Sequence, residues 1–231
     1  MSEFPDSIQL TAQYAQGRKP ENGWMSKHFQ FESRMSLSGS NADVRVPVKP
    51  SEQGKIAIQL FNYVEAKLSG KTPSEDFHKK VVMAGNHLVA NKGQSVVIAG
   101  ANDKHLQVVV NAINNLLGNY GKTLDIAKQS NVRKGVDADF AFLVNEMNSG
   151  SVDFLLVDGV NPSYSAAAAL KFDEAMAKVG TAVVFAVRPN ATTANAKYVA
   201  AASHYLESWN DGNPQSGKYS IAQPTINPLY D

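Results

Sequence analysis

Three short apolar runs constrain this chain more than anything else in it. They are Ser95-Val96-Val97-Ile98-Ala99, Phe154-Leu155-Leu156-Val157 and Ala182-Val183-Val184-Phe185-Ala186-Val187. Each is too short for a helix and has no alternating polar positions, which is how strands buried on both faces of a parallel sheet read. Each is closed by a turn signal: Gly100, Asp158-Gly159 and Arg188-Pro189-Asn190. Between and after them, apolar residues recur at helical spacing. Leu106, Val109, Val110, Ile113, Leu116 and Leu117 form one such set, ending at Gly118. Further helices are predicted over 139–147 and 166–179, and an Ala-rich one from Thr192 to about Ala202. Alternating strands and helices predict an α/β fold, a parallel sheet with helices on both faces joined by right-handed crossovers.

Upstream lies a small N-terminal α/β portion. Phe29-Gln30-Phe31-Glu32-Ser33 and Val44-Arg45-Val46-Pro47-Val48 alternate like strands, and Pro47 marks an edge or a strand end. Ile56, Leu60, Tyr63, Val64 and Leu68 predict a helix over 54–68, stopped by Gly70. Ser74 is a plausible cap for a second helix reaching about Ala90. Residues 1–27 are polar and punctuated by Gly17, Pro20 and Gly23, so they read as an irregular arm. The predicted organisation is therefore an arm over 1–27, the α/β portion over 28–91, a parallel α/β subdomain over 92–203 and an aromatic C-terminal extension over 204–231.

Composition narrows the function classes. A chain of 231 residues folded as one unit buries about 70% of its surface. With 43% hydrophobic and 19% charged residues it is not a disordered chain. Lys+Arg number 22 against 21 Asp+Glu, so no bulk field attracts nucleic acid or an anionic membrane. There is no cysteine, which excludes disulfides, zinc-thiolate sites and thiolate-held iron–sulfur clusters within this chain. No apolar run approaches the ~20 residues needed to cross a bilayer. The first residues lack a basic region and an apolar stretch, so they do not read as a signal peptide. The sequence reads as an excised piece of something longer.

Ligands of open α/β sheets bind beyond the carboxyl ends of strands, near helix N-termini. Three loops qualify. In Gly100-Ala101-Asn102-Asp103-Lys104-His105, glycine permits close approach and Asn102 or Asp103 can cap the next helix. In Asp158-Gly159-Val160-Asn161-Pro162-Ser163, Pro162 fixes a helix start and Asn161 can bond its own backbone. In Arg188-Pro189-Asn190-Ala191-Thr192-Thr193, Arg188 can pair an anion and either threonine can cap. Each reads as a capped turn or as a phosphate cradle, and capping is the commoner use of these residues. His28, His78, His87, His105 and His204 are scattered, with none of the spacings of a helical metal site. The run from His204 to Asp211 gathers an imidazole, two carboxylates and two aromatics; an acid/base pair and an aromatic packing surface are both conceivable.

Several of these runs, in order, resemble a known family. Asn41-Ala42-Asp43-Val44-Arg45-Val46-Pro47-Val48-Lys49-Pro50-Ser51 is similar to a segment of molybdopterin oxidoreductases of the dimethylsulfoxide-reductase type. Asp158-Gly159-Val160-Asn161-Pro162 resembles their glycine-x-asparagine-proline loop, and Thr192 through Glu207 their later threonine-alanine segment. Phe31-Glu32-Ser33, Leu37 through Asp43, Leu116 through Gly121 and His204 through Asp211 are similar to one branch, the large iron–sulfur subunit of bacterial alternative complex III. The similarity continues through Tyr219 to Leu229.

The resemblance implies a Rossmann-like domain within a quinol:electron-acceptor oxidoreductase of the respiratory chain. It implies partners: the remainder of its own chain, and multihaem and quinol-oxidising membrane subunits. It implies a periplasmic position beside the inner membrane, with the piece itself soluble and the iron–sulfur clusters held elsewhere in the parent chain. In cofactor-binding members these loops hold a molybdopterin guanine dinucleotide, and the matching positions here are Gly100, Asn102, Gly159, Asn161 and Thr192. The departures point the other way. Ser51 stands where a glycine permits close approach, Gln53 where an Asp would be, Ala191 for a Glu, Lys197 for an Asp and Ala200-Ala201 for Leu-Pro. The expectation is a scaffold that has lost its cofactor, with no catalytic residue of its own. The alternative is a module that still binds the dinucleotide.

Overall fold

The computed structural model describes residues 6–73, 76–132 and 134–230. The chain is mixed α/β and divides into two compact units, Met1–Val132 and Arg133–Asp231.

The first unit is built on helices. Its elements are α1 (Ser7–Gln16), β1 (Phe29–Glu32), α2 (Leu37–Ser40), β2 (Val44–Pro47), α3 (Gln53–Leu68), α4 (Lys79–Ala90) and α5 (Lys104–Leu116). The periodic residues of α3, α4 and α5 meet as predicted: Leu60, Val64, Val81, Ala84, Ile113 and Leu117 form the core, flanked by Phe29 and Phe31. Helices α3 and α4 pack closely because Gly85 has no side chain; a Cβ there would lie 2.3 Å from Tyr63 Cδ1. Strands β1 and β2 pair in parallel, Phe29 opposite Val44 and Glu32 opposite Pro47. The Ser74 cap lies outside the described residues; at the start of α4, His78 Nδ1 accepts from the Lys80 N–H at 3.2 Å.

Two expectations for this unit are corrected. The segment 1–27 is not irregular throughout, since α1 forms within it. No α1 residue is buried, so no apolar stripe announced the helix. Polar contacts hold it instead. The Tyr14 hydroxyl lies 3.1 Å from Asn41 O and 3.0 Å from His28 Nδ1, and Arg18 grips Asp43 through two bonds of 2.9 and 3.1 Å. Residues 95–99 are the second correction. They belong to no strand among the described residues. Side chains take the place of a neighbouring ladder. Asn114 Oδ1 accepts from Val97 N at 3.0 Å and its Nδ2 donates to Val97 O at 2.8 Å. Thr123 Oγ1 donates to Ser95 O, and Gln107 Nε2 to Ala99 O. Val97 is half-buried at the core rim, while Val96 and Ile98 are exposed.

The second unit carries the parallel sheet. Its elements are α6 (Asp137–Asn148), β3 (Phe154–Asp158), α7 (Pro162–Ser165), α8 (Phe172–Met176), β4 (Thr181–Ala186), α9 (Ala191–Ala194), β5 (Tyr198–Ala201), β6 (Asn210–Gln215) and β7 (Lys218–Ala222). The strand order is β3-β4-β5, all parallel, with Leu155 opposite Ala182 and Val184 opposite Val199. Leu155, Val157, Ala182 and Val184 pack against Val144 and Met147 of α6 and Phe172, Ala175 and Met176 of α8. That face is the core. On the other face Phe154 and Leu156 are 57% and 55% exposed, so within this unit helices cover one face of the sheet and not both.

Two helices expected here are shorter than predicted. Over 166–179 the chain is broken at Lys171, a non-glycine residue at φ 51, and only α8 and a 3-10 turn over Ala168–Leu170 form. The alanines at 166–169 supply little apolar surface, so the core captures Phe172 rather than a continuous stripe. The helix from Thr192 stops at Ala194, because Tyr198-Val199 pair with β4 instead. The C-terminal extension forms an antiparallel hairpin, β6 against β7, turning at Gly217 with φ +79. Among the described residues no helix is long and apolar enough to cross a membrane.

Candidate functional site

The loop following β3 brings together two of the sequence-predicted residues. Gly159, at φ +65, prolongs the ladder by donating to Phe185 O at 3.2 Å. Two residues on, Asn161 turns towards α9. Its Oδ1 accepts from the Thr192 N–H at 3.1 Å and from Thr192 Oγ1 at 2.8 Å. Thr192 Oγ1 in turn accepts from the Ser163 N–H at 3.1 Å. Thr192 is fully buried and Pro162 beside it is buried. The start of α9 is closed separately by a reciprocal cap: Asn190 Oδ1 accepts from Thr193 N, and Thr193 Oγ1 accepts from Asn190 N.

This arrangement stitches the starts of α7 and α9 together. Asn161 and Thr192 direct their polar atoms at each other and at backbone. Ser163 Oγ is the exception, buried with no partner. It borders a cleft of about 250 Å³ that also meets Pro162, Ala166, Lys171 and Glu174. Lys171 pairs with Glu174 at 3.2 Å, so the cleft offers a phosphate no free cation at that position. Thr192→Val is expected to cost about 1–3 kcal/mol, because the Ser163 N–H loses its acceptor and Asn161 loses a donor. Urea unfolding monitored in the second unit reads this directly.

Gly100 and Asn102 lie on the first unit and are exposed. Beside them Asp103 caps α5, its Oδ1 accepting from Leu106 N at 3.1 Å and His105 N at 2.8 Å. These backbone bonds hold its carboxyl below the usual range. A juxtaposition absent from the sequence reading appears here. The Pro50–Gln53 run and the 100–105 loop share one cleft of about 170 Å³, lined by Pro50, Gln53, Gly54, Ala101, Asp103 and His105. The starts of α3 and α5 therefore meet. The N–H groups that an anion would use at α5 are already taken by a carboxylate. No Lys or Arg lines the cleft. These side chains are a poor match for an anionic dinucleotide.

Arg188, the candidate of the third loop, is exposed. The His204 ring lies tilted against Tyr205, with centroids 4.4 Å apart, and accepts from the Leu206 N–H at 3.4 Å. Trp209 is 69% exposed. Among the described residues, no group of three or more His, Cys, Asp or Glu side chains could hold a metal ion.

The most perturbed carboxylate is one that sequence reasoning did not single out. Glu32 ends β1, is buried, and accepts from Arg45 Nε at 2.6 Å, Ser36 Oγ at 2.7 Å and Gln30 Nε2 at 3.2 Å. Burial opposes its ionisation, but the bonds from Ser36, Arg45 and Gln30 together hold its carboxyl at about 2. Gly39 lets the α2 backbone approach this carboxylate; a Cβ there would clash with its oxygens. The sequence carries no sign of this: Glu32 is simply the second polar position of the alternating run Phe29-Gln30-Phe31-Glu32. Every partner is a donor from the chain itself, so the carboxylate is structural.

No protein-family model matches the chain, and no curated protein matches it.

Proposed function

We propose that this chain is a cofactor-free α/β scaffold of the molybdopterin-oxidoreductase type, Rossmann-like around its parallel sheet. It works within the large iron–sulfur subunit of a respiratory quinol:electron-acceptor oxidoreductase, on the periplasmic side of the inner membrane. Its role is to support the cluster-bearing remainder of its own chain and to dock multihaem and quinol-oxidising subunits.

One observation carries the reading: Asn161 Oδ1, the Thr192 N–H and hydroxyl, and the Ser163 backbone N–H are spent on one another, although Ser163 Oγ is left without a partner. Polar groups that satisfy one another inside a fold hold its elements in place, and recruiting them to a ligand means breaking buried bonds. The Asp103 cap and the replacement of the close-approach glycine by Ser51 support the same conclusion. The half-open sheet and the exposed aromatic residues Tyr205, Trp209 and Tyr219 support the docking role.

Metal and pterin analysis of the full-length subunit from its native host tests this. The expected result is no molybdenum or tungsten above background. A stoichiometric metal with a pterin would reverse the reading in favour of a dinucleotide-binding module contacted by Gly100, Asn102, Gly159, Asn161 and Thr192.

A further inference from the structure

We propose that His28 is a proton-operated latch fastening α1 to the β1–β2 pair: the charged ring completes a run of hydrogen bonds that the neutral ring leaves one proton short.

Glu32 fixes one end of the run. Its carboxylate accepts from Arg45 Nε and Ser36 Oγ and has no proton to give. Gln30 therefore turns its Nε2 towards it, at 3.2 Å, because the reversed amide would set two acceptors against each other. That leaves Gln30 Oε1, which can only accept, 3.0 Å from His28 Nε2. The ring has to donate there, so Nε2 carries a hydrogen whether or not the ring is charged.

On the other side of the ring a proton is missing. His28 Nδ1 lies 3.0 Å from the Tyr14 hydroxyl, which also lies 3.1 Å from Asn41 O. A phenol has one hydrogen and a carbonyl has none. When the ring is neutral, Nδ1 is a second acceptor and Tyr14 cannot serve both. When Nδ1 is protonated, the ring donates to Tyr14 Oη and the phenol hydrogen goes to Asn41 O. Every contact from Asn41 to Glu32 then has a donor and an acceptor. Tyr14 keeps its own proton throughout, since burial moves its ionisation further above neutral pH.

The charges facing the ring come mostly in pairs. Arg18, after α1, pairs with Asp43, ahead of β2, at 2.9 Å, and Asp43 also accepts from the His28 backbone N–H at 2.7 Å. Glu32 of β1 pairs with Arg45 of β2. Lys27 is exposed. With both carboxylates matched by a cation, the hydrogen-bond count decides. The consequence falls on α1, which has no buried residue and is held by Tyr14 and by Arg18 just beyond it. One bond is a large share of that anchorage. Proton uptake holds the docked helix below the pH range in which histidine titrates, and the gain is lost as the pH rises through that range.

Hydrogen exchange of the α1 amides Thr11 to Gln16 in the full chain, corrected for intrinsic rates, tests this at about pH 5.5 and pH 8. The window spans histidine titration and lies above the folded-state values of Glu32 and Asp43. Protection is expected to be about tenfold higher at the lower pH, the worth of one charge-assisted hydrogen bond. Tyr14→Phe removes the oxygen that accepts from Nδ1, and should show lower protection that is equal at the two pH values. His87, whose ring lies 5.4 Å from Phe29, is a histidine of the same unit, and a pH dependence arising there would survive in Tyr14→Phe. Such survival, or equal protection at both pH values in the parent chain, overturns the proposal. Nitrogen-15 spectroscopy of the His28 ring at pH 8 is expected to place the hydrogen on Nε2. Finding it on Nδ1 overturns the proposal too, since Gln30 would then not set the ring.

Discussion

Leu155→Ala is expected to destabilise the second unit by about 2–5 kcal/mol. The side chain is 7% exposed and lies on the core face of β3, clustered with Val157, Ala182, Met147 and Phe172. Removing it costs the transfer free energy of its buried methylenes and leaves a cavity that α6 and α8 can only partly close. The neighbouring variant sharpens the test. Leu156 has the same chemistry and the same strand but is 55% exposed. Leu156→Ala is therefore expected to cost well under half as much, since little buried area is lost. Urea unfolding of both variants at constant m-value measures the difference. Equal costs would mean that the sheet is covered on both faces in solution.

Acidification is expected to strip the first unit of on the order of 3 kcal/mol between pH 5 and pH 2. The Glu32 carboxyl lies at about 2 in the folded chain, against an ordinary value of 4.5. A folded value held below the unfolded one stabilises the native state fully above pH 4.5. That stabilisation fades as the pH falls towards 2, because the unfolded chain takes up the proton first. Asp43, also held at about 2 chiefly by Arg18, adds to the loss from pH 3.8 downwards. Both carboxylates are mostly shielded from solvent, so screening removes only part of the effect. Stability of Glu32→Gln measured across this range should start lower and fall less steeply than the parent. Parallel curves would show that Glu32 titrates alike in both states.

These two residues also show what could be read from the sequence. Leu155 belonged to a short, unbroken apolar run closed by a turn signal, which marked a strand, and β3 and β4 formed where that pattern placed them. The periodic helices α3, α5 and α6 followed for the same reason, since an apolar stripe is a local signal with one solution. Glu32 was silent, because its meaning depends on Arg45 and Ser36, which only the fold brings within reach. The same limit explains the other misses. α1 carries no apolar stripe and is held by Tyr14 and Arg18. Tyr198-Val199 follow a short capped turn of helix, and pairing with β4 outweighed the helical reading of the alanines after them. At the candidate site, the pairing of Asn161 with Thr192 crosses thirty-one positions of sequence. Residue types at each end were legible, but their mutual saturation was not.

Asn114 gives the first unit an unusual chemical vulnerability. Its carboxamide presents an acceptor to Val97 N and donors to Val97 O and Val110 O. Hydrolysis of that amide with age would turn both donors into a carboxylate oxygen facing two carbonyls, and the ribbon it straps would be pushed off. The attack that drives such ageing comes from the next residue's backbone nitrogen, and inside α5 the rigid, hydrogen-bonded backbone keeps that nitrogen out of position. The helix therefore acts as a preservative for the strap, and the shelf life of this unit is set by how seldom α5 frays.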